Sequence, residues 1–265
     1  MGRLFGWLGV SRADPDDKLS VVEHLTELRT RLFISVLTLA TASAVLYVFN
    51  EWLLDILLDP LAPEYRSLLA LSPTEPFLVI LKVVFGAAVL VTLPVLLYQL
   101  YAYVVPAIGE QTRRKMLLVV GGVSMLFIGG VAFVYFLVLP VALQWLLGFA
   151  GDDFTIALRA NEYFSFALTI MFAGGLVFEV PIAMLVLARL GLVTADQFRR
   201  GWRIAVVVIA AIAAVLPGGD PVSMLLLMVP QLVLYAVGIW LASVFGRPAP
   251  WAHEGAPAEA TETPA

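Results

Sequence analysis

Three charged residues stand out as the first candidates for function: Glu27, Lys82 and Glu179. Glu179 lies about halfway along an apolar stretch, where an ionised carboxylate costs about 2.5–3.5 kcal/mol. A charge retained at that cost usually marks a site for a substrate, an ion or a partner. Two interpretations stay open for Glu179. It is either a polar point inside a concave face used by substrate or partner, or a protonated acid hydrogen-bonded to a neighbouring helix.

Lys82 lies about two turns inside another apolar stretch. Its long side chain can extend to the nearer surface, or it can pair inward with an acid such as Glu75, Asp220 or Glu179. Lys82 and Glu179 could also form the coupling-ion or substrate pair of a small-solute carrier, because transporters use such pairs at membrane depth.

The residues before the first apolar stretch predict a helix. Ser20 and Glu23 have capping-box spacing, so the helix should begin at about Ser20 and run into that stretch. At helical pitch, Glu27 lies one turn from both Glu23 and Arg31. This fits an amphipathic helix with a Glu27–Arg31 surface pair, and such exposed pairs contribute under about 1 kcal/mol. Spacing alone does not decide between that pair and a binding role for Glu27.

Motifs for bond-making chemistry are absent from the sequence. It contains no Walker A loop, no Gly-x-Ser-x-Gly elbow and no His-Glu-x-x-His helix. There are no cysteines, which excludes thiol nucleophiles and cysteine metal sites, and the two histidines are His24 and His253. We therefore expect no enzyme activity, no cofactor and no bound metal.

The composition is that of a membrane protein. Hydrophobic residues make up 61% and charged residues 14% of the 265 positions, against about half and about a quarter in soluble domains. Polar residues cluster between apolar stretches that are long enough to cross about 30 Å of hydrocarbon. The net charge of −4 provides no basic surface for nucleic acid, so we do not expect nucleic acid as a partner. The apolar stretches indicate that the chain is surrounded by membrane lipids.

Six apolar stretches predict an all-α integral membrane protein with six transmembrane helices. They are Leu32–Phe49, Phe77–Val105, Met116–Leu147, Phe164–Leu190, Ile204–Leu216 and Val222–Phe245. The last two are short, and the fifth, with about thirteen residues, also fits a re-entrant segment, which would leave four spans and a hairpin. Prolines in or beside most spans predict kinked helices. These prolines are Pro94, Pro106, Pro140, Pro181 and Pro230.

Lysines and arginines counted by loop predict that both termini are cytoplasmic. Thirteen of them flank one side, only Arg66 and Arg159 flank the other, and Lys82 lies within a span. This indicates a multi-pass protein of the cytoplasmic membrane. We expect a cytoplasmic leader (1–19), a membrane domain (20–245) and a disordered cytoplasmic tail (246–265).

The segment after the first span carries acids at four-residue intervals, from Glu51 to Asp59, beside apolar residues. This pattern predicts an amphipathic extension of the first helix, which Pro60 stops. Its expected role is structural, as an outer cap that supports the bundle.

Short motifs in residues 20–245 resemble, in order, those of the TatC family, the receptor subunit of the twin-arginine protein translocase. The first is the string His-Leu-Thr-Glu-Leu-Arg-Thr-Arg-Leu from His24 to Leu32. The others are Asp59-Pro60-Leu61, Glu75-Pro76-Phe77 with Lys82, Pro94-Val-Leu-Leu-Tyr98-Gln99 running to Pro106, Arg113-Arg114, Phe178-Glu179-Val180-Pro181, and Asp220. Each motif is weak alone, but their shared order favours the family.

The resemblance implies a receptor for signal peptides with two consecutive arginines. It also implies an oligomeric complex with single-span subunits of the TatA and TatB type, which moves folded proteins across the membrane. A guanidinium is planar and always charged, so a carboxylate on a rigid helix is its natural partner. The residues implied in signal-peptide binding are His24, Leu25, Glu27, Leu28, Arg29, Arg31, Glu110, Arg113 and Arg114.

One position departs from the family. Its second carboxylate, directly before the paired arginines, is replaced here by Thr112, and the nearest acid is Glu110. Either Glu110 substitutes for it, or Glu23 and Glu27 bind the arginines without it. Arg113 and Arg114 are also explained as positive-inside anchors.

The resemblance also implies roles for two further sets of residues. Asp220, Ser223 and Gln231 are implied in docking partner subunits, although Asp220 before Pro221 also fits a helix cap. The residues implied as structural are Pro60, Pro76, Phe77 and Pro106. The alternative of a small-solute carrier lacks the internal repeat that many carriers show.

Overall fold

The computed structural model describes residues 21–104, 113–149, 156–215 and 221–246, without the side chains of residues 21–23, 104, 113–116, 118, 215 and 223. The leader, the tail, Pro106, Glu110 and Asp220 therefore lie outside the described residues. Within the described ranges the regular structure is helical, apart from one isolated bridge between Leu69 and Arg159. The all-α prediction is confirmed for this part of the chain.

Ten α-helices build the described structure. They are α1 (Val21–Val48), α2 (Asn50–Leu58), α3 (Glu75–Val104), α4 (Arg113–Phe133), α5 (Leu139–Phe149), α6 (Ala160–Phe178), α7 (Val180–Arg189), α8 (Ala195–Arg200), α9 (Trp202–Val215) and α10 (Pro221–Phe245). A π-helical turn, Val134–Val138, joins α4 to α5, and the single residue Glu179 separates α6 from α7. Each of these two pairs therefore continues as one long helical segment.

Five segments of the described chain are long and apolar enough to cross a membrane. They are His24–Val48, Glu75–Tyr103, Val119–Phe149, Ala160–Arg189 and Met224–Phe245. The stretch predicted as the fifth span is a shorter apolar helix, Trp202–Ala214. The chain is therefore a multi-pass membrane protein. Of the two spans predicted as short, the fifth is short in the structure, whereas the sixth, Met224–Phe245, is long enough to cross a membrane.

The connections between the long helices give the bundle two ends. The strongest helix pairings are α1 with α3, α4 with α6, and α7 with α10. We call the end where α1 begins and where α3 and α10 finish the base end. The opposite end is the cap end, and residues 50–74, which connect α1 to α3 there, are the cap segment.

The cap segment packs into the core of the bundle. Leu57 and Leu61 are buried in the same apolar cluster as residues of α3, the π-turn and α6. Tyr135 donates its hydroxyl to the Ile56 carbonyl at 2.8 Å, and Tyr163 donates to the Leu57 carbonyl. The bond from Tyr163 satisfies a carbonyl at the end of α2 that has no partner within the helix, and the bond from Tyr135 adds a second donor to the Ile56 carbonyl, which also accepts the Asp59 N–H.

The predicted helix of the cap segment is present with one difference. It ends at Leu58, shortly before Pro60 as expected, but it is a separate helix rather than an extension of α1. Phe49 interrupts the helix between α1 and α2, because its backbone angles, φ −101° and ψ 21°, are not helical.

Small residues allow α4 and α6 to approach closely. A Cβ placed at Gly130 would lie 2.6 Å from the Gly174 carbonyl oxygen, and one placed at Gly175 would lie 2.7 Å from Phe127. Close backbone contact of this kind is a main source of helix association within membranes. This contact holds together α4 and α6, and the helices that carry the candidate site pack against this central pair.

Candidate functional site

Glu27 and Arg31 form an ion pair at the base end of α1, as their one-turn spacing predicts. Arg31 Nε lies 2.9 Å from Glu27 Oε1, and Arg31 Nη2 donates to the same oxygen. The Arg31 and Glu27 side chains are 24% and 27% exposed. Because both donors share Oε1, Glu27 Oε2 has no hydrogen-bond partner among the described residues.

Two contacts with α3 fix this end of α1. Arg31 Nη1 lies 3.3 Å from Oε1 of Gln99, which is buried. The rings of His24 and Tyr103 stack at a centroid distance of 4.4 Å and an interplanar angle of 15°. The part of α1 that carries the Glu27 carboxylate is therefore fixed to α3 by two contacts, one at Arg31 and one at His24.

Exposed apolar side chains lie on the face of α1 next to that of the ion pair. Leu25, Leu28 and Leu32 are 57%, 40% and 61% exposed, and their spacing places them on one face of α1. Arg29 is also exposed. This surface offers one carboxylate oxygen beside apolar side chains, so it can bind a cation that is attached to an apolar chain.

The second loop of the predicted binding surface is only partly visible. Arg113 and Arg114 begin α4, but their side chains are not described, and Glu110 and Thr112 lie outside the described residues. The substitution of Glu110 for the family carboxylate stays a prediction.

Lys82 has neutral partners instead of the predicted acid. Its Nζ lies 2.7 Å from Asn161 Oδ1 and 2.6 Å from Ser165 Oγ, both on α6. Of the two alternatives for Lys82, the inward pairing with Glu75 or Glu179 is therefore wrong, because Asn161 and Ser165 of α6 accept from its ammonium group. The third proposed partner, Asp220, lies outside the described residues.

Glu75 is bound to Arg159, a pairing that the sequence did not suggest. Arg159 Nε and Nη2 lie 2.9 and 3.3 Å from the two carboxylate oxygens of Glu75. The backbone N–H groups of Leu71 and Asn161 also donate to this carboxylate, at 2.8 and 3.1 Å. The hydrogen bond to Glu75 raises the pKa of the Arg159 guanidinium, which stays charged.

Glu179 occupies the single position between α6 and α7. Its Oε1 is buried and has no hydrogen-bond partner among the described residues. The predicted hydrogen bond to a neighbouring helix is therefore not present at this oxygen. The backbone of Phe127 on α4 nevertheless hydrogen-bonds to the same carboxyl group, so both interpretations of Glu179 stay open.

The remaining predicted residues are placed as follows. Gln231 on α10 is 5% exposed, and its Oε1 also has no partner among the described residues. Ser223 begins α10 without a described side chain. Pro60 follows α2, Pro76 is the second residue of α3, and Phe77 beside it is 54% exposed.

Sequence reasoning missed Gln99 and Tyr103 as partners of the predicted site. A signal was present, because Gln99 closes one of the family motifs and Tyr103 follows it by one turn on the same face of α3. It could not be used without the antiparallel register of α1 and α3, which depends on the whole bundle.

The chain matches the family described as "Sec-independent protein translocase protein (TatC)" over residues 23–230, well over half its length. It belongs to the TatC family. The chloroplastic TATC protein of Pisum sativum is 37% identical over 235 residues, which cover 88% of this chain and 67% of the relative. The TatC of Aquifex aeolicus is 34% identical over 236 residues, covering 86% of this chain and 97% of that protein.

A solved structure agrees with the sequence relatives. The crystal structure of a twin-arginine translocase receptor, TatC, matches with 34% sequence identity and a TM-score of 0.71. The match covers 83% of this chain and 98% of the chain in that crystal structure. As a TatC protein, the chain is a component of a protein translocase that works in a complex, a transport protein rather than a classical enzyme. The comparisons give no support to the alternative of a small-solute carrier.

Proposed function

We propose that this TatC protein is the receptor for twin-arginine signal peptides and the core subunit of the translocase that moves folded proteins across the membrane. The observation that carries the proposal is Glu27 Oε2 at the base end of α1, which has no hydrogen-bond partner in the part of the chain that the structure describes. Arg31 holds the other oxygen and is itself held by Gln99. The carboxylate is thus fixed in place with one oxygen left for a ligand.

The chemistry of this surface fits an arginine side chain. A ligand guanidinium can donate to Oε2 in a charge-assisted bond without displacing Arg31. The exposed leucines of α1 can contact apolar residues of the same peptide. The second arginine of the pair then needs another acceptor, for which Glu110 and Glu23 are the candidates.

The orientation that this function requires is the one predicted from the loops. The base end faces the cytoplasm, both termini are cytoplasmic, and α9 crosses the membrane as a short fifth span, which gives six spans. In support, the exposed Arg29, Arg199 and Arg200 all lie at the base end. Folded cargo waiting for export would then meet Glu27 directly.

The expected partners are single-span subunits of the TatA and TatB type in the cytoplasmic membrane. Gln231 supports a docking role for α10, because its buried Oε1 is unpaired among the described residues. The division into a leader (1–19), a membrane domain (20–245) and a tail (246–265) belongs to the same proposal.

A photocrosslinking experiment tests the receptor role. A crosslinking residue replaces Leu28, beside Glu27, and in a second variant it replaces Val45, which is similarly exposed on α1 but lies near the cap end. We expect a signal peptide with two arginines to crosslink at position 28 and not at position 45. The same peptide with both arginines changed to glutamine should lose the crosslink. Equal crosslinking of the two peptides at position 28 would exclude the proposed receptor site.

A further inference from the structure

Arginines are concentrated at the base end where α8 meets α9. Residues 189–204 contain four arginines and a single acid, Asp196. Three of the arginines, Arg199, Arg200 and Arg203, lie within five positions of each other, and all three are exposed. We call the turn that carries them the α8–α9 junction. It has a clear excess of positive charge.

The protein itself compensates this charge only weakly. Arg199 Nη1 lies 3.7 Å from Asp196 Oδ1, and the two side chains are 61% and 77% exposed. Such an exposed pair contributes little. The Arg203 guanidinium lies 5.9 Å from the ring centre of Trp202. Neither Arg203 nor Arg200 has an acidic partner among the described residues. Most guanidinium N–H groups of the junction are therefore open to a ligand.

Hydrogen bonds hold the junction in place. Thr194 caps α8, because its Oγ1 accepts the Gln197 N–H at 3.3 Å while Gln197 Oε1 accepts the Thr194 N–H at 2.8 Å. Tyr235 of α10 donates its hydroxyl to the Phe198 carbonyl at 2.8 Å. The three arginines therefore project from a fixed turn rather than from a free loop.

The bond between Tyr235 and Phe198 also fixes the depth of the junction. Tyr235 precedes Phe245, the last residue of α10, by ten positions, which is about 15 Å along the helix axis. Because this part of α10 belongs to the spanning segment Met224–Phe245, α8 is bound beside that segment and not beyond its end. A cation at this level lies among the lipid headgroups or below them, and it is costly there unless an anion joins it.

The length of α9 leads to the same level. With 14 residues, α9 is about 21 Å long, shorter than the hydrocarbon core of about 30 Å. It packs along α10, which is long enough to cross the membrane. A short apolar helix in a bilayer draws its polar flanks and the nearby headgroups together. The arginines that precede α9 are such a flank.

We propose that the α8–α9 junction binds an anionic phospholipid, whose phosphate oxygens accept N–H groups of Arg199, Arg200 and Arg203. Guanidinium groups pair with phosphate through two parallel hydrogen bonds. Apolar side chains beside the arginines favour a lipid over a free anion. Trp202 and Ile204 are 53% and 72% exposed, so they can contact the acyl chains of the same molecule, and tryptophan is typical of membrane interfaces. This site does not depend on the proposed receptor function.

Lipid retention by the purified full-length protein tests the proposal. The protein in detergent is titrated with dioleoylphosphatidylglycerol or dioleoylphosphatidylcholine, and bound lipid is counted by native mass spectrometry. We expect phosphatidylglycerol to bind about tenfold more tightly than phosphatidylcholine. The triple change Arg199→Gln, Arg200→Gln and Arg203→Gln should remove this preference, whereas three lysines at these positions should keep most of it. Arg29→Gln is the matched control and should keep the preference, since Arg29 is also exposed at the base end but lies on α1.

A single change of opposite sign decides the question if the triple variant does not fold. Asp196→Asn removes the one acid beside the arginines and should raise the affinity for phosphatidylglycerol about threefold. Unchanged affinity in Asp196→Asn, or an unchanged preference in a folded triple variant, would overturn the proposal.

Three further outcomes would also overturn it. An equal loss in Arg29→Gln would mean that the net charge of the base end attracts the lipid. Full competition by glycerol 3-phosphate, which has no acyl chain, would indicate a site for a free anion. Full competition by hexaglutamate would assign the arginines to an acidic protein partner.

Discussion

Arg31 Nη1 donates to Gln99 Oε1 at 3.3 Å and so ties α1 to α3, across 68 positions of sequence. The same guanidinium holds Oε1 of Glu27. Gln99 therefore acts on the proposed receptor site indirectly, by positioning the arginine that orients the carboxylate.

Gln99→Met should weaken signal-peptide binding severalfold, because Arg31 loses its anchor while the volume of the buried side chain is kept. A hydrogen bond to a charged group contributes about 1.5–3 kcal/mol. Because Gln99 acts on the peptide only through Arg31, we expect part of this free energy, about 1 kcal/mol or a change of about fivefold, to appear in the binding affinity. Fluorescence anisotropy of a labelled twin-arginine peptide, with the protein in nanodiscs, measures the effect.

Thr92→Val is the control for Gln99→Met. Thr92 is also buried on α3, but its hydroxyl bonds only to its own helix, at Ala88 O and Val89 O. Peptide affinity should stay at the level of the unmodified protein. If the two variants lost affinity equally, the role of Gln99 would be general packing rather than positioning.

Glu27→Gln should reduce the affinity for a twin-arginine peptide by about tenfold or more. The change removes the charge but keeps the shape, and hydrogen bonds to charged groups contribute about 1.5–3 kcal/mol. The salt dependence of binding should become weaker in the variant, since the attraction between exposed charges is screened by salt. Anisotropy at low and high salt measures both effects.

Glu51→Gln provides the matched control for Glu27→Gln. Glu51 is an exposed acid in the first turn of α2, at the cap end. Its substitution should leave both the affinity and its salt dependence unchanged. An equal effect of the two changes would mean that net charge, rather than the position of Glu27, attracts the peptide.

The sequence predicts the spanning helices better than it predicts their polar contacts. Apolar stretches and loop arginines are local signals, and they located all five long spans and the short helix α9. The partner of Lys82 has no such signal. Asn161 and Ser165 are neutral residues 79 and 83 positions away, and only the packing of α3 against α6 brings them close to Lys82.

Breaks within helices were predictable only in part. Pro140 follows the π-turn Val134–Val138 by two residues and cannot donate to the Phe136 carbonyl, so that break has a local signal. In contrast, α2 separates from α1 at Phe49, an ordinary apolar residue. Both breaks depend on neighbours, since Tyr135 of the π-turn bonds to the Ile56 carbonyl of α2. The Glu27–Arg31 pair was predictable because its spacing lies within one helix.

Gly130→Ala should destabilise the protein by about 1–3 kcal/mol, because the added methyl group meets the backbone of α6 at Gly174. Gly121→Ala, on the same helix, has open space around the new methyl group and should be neutral or slightly stabilising. Thermal denaturation in detergent compares the two variants. Equal stability would show that α4 and α6 can move apart at little cost.

Single cysteines should report the orientation of the bundle. The chain has no cysteine of its own, so Asp196→Cys and Glu64→Cys each introduce one reactive thiol. Asp196 is exposed in α8 at the base end, and Glu64 is exposed in the cap segment. A membrane-impermeant maleimide added to intact cells should label position 64 and not position 196. The reverse pattern would place both termini outside and contradict the receptor proposal.

Glu75→Gln should lower the melting temperature clearly more than Asp59→Asn. Both acids pair with an arginine at the cap end, Glu75 with Arg159 at 2.9 Å and Asp59 with Arg66 at 3.2 Å. The Glu75 side chain is 4% exposed and also accepts two backbone N–H groups, whereas Asp59 is 75% exposed. Exposed pairs contribute little, but removing one partner of a buried network leaves the others unsatisfied.

Arg159→Gln should lose part of the same stability, and the double variant Glu75→Gln with Arg159→Gln should lose less than the sum of the two. Additive losses would show that the two side chains act independently, and the cap segment would then be held mainly by its leucines.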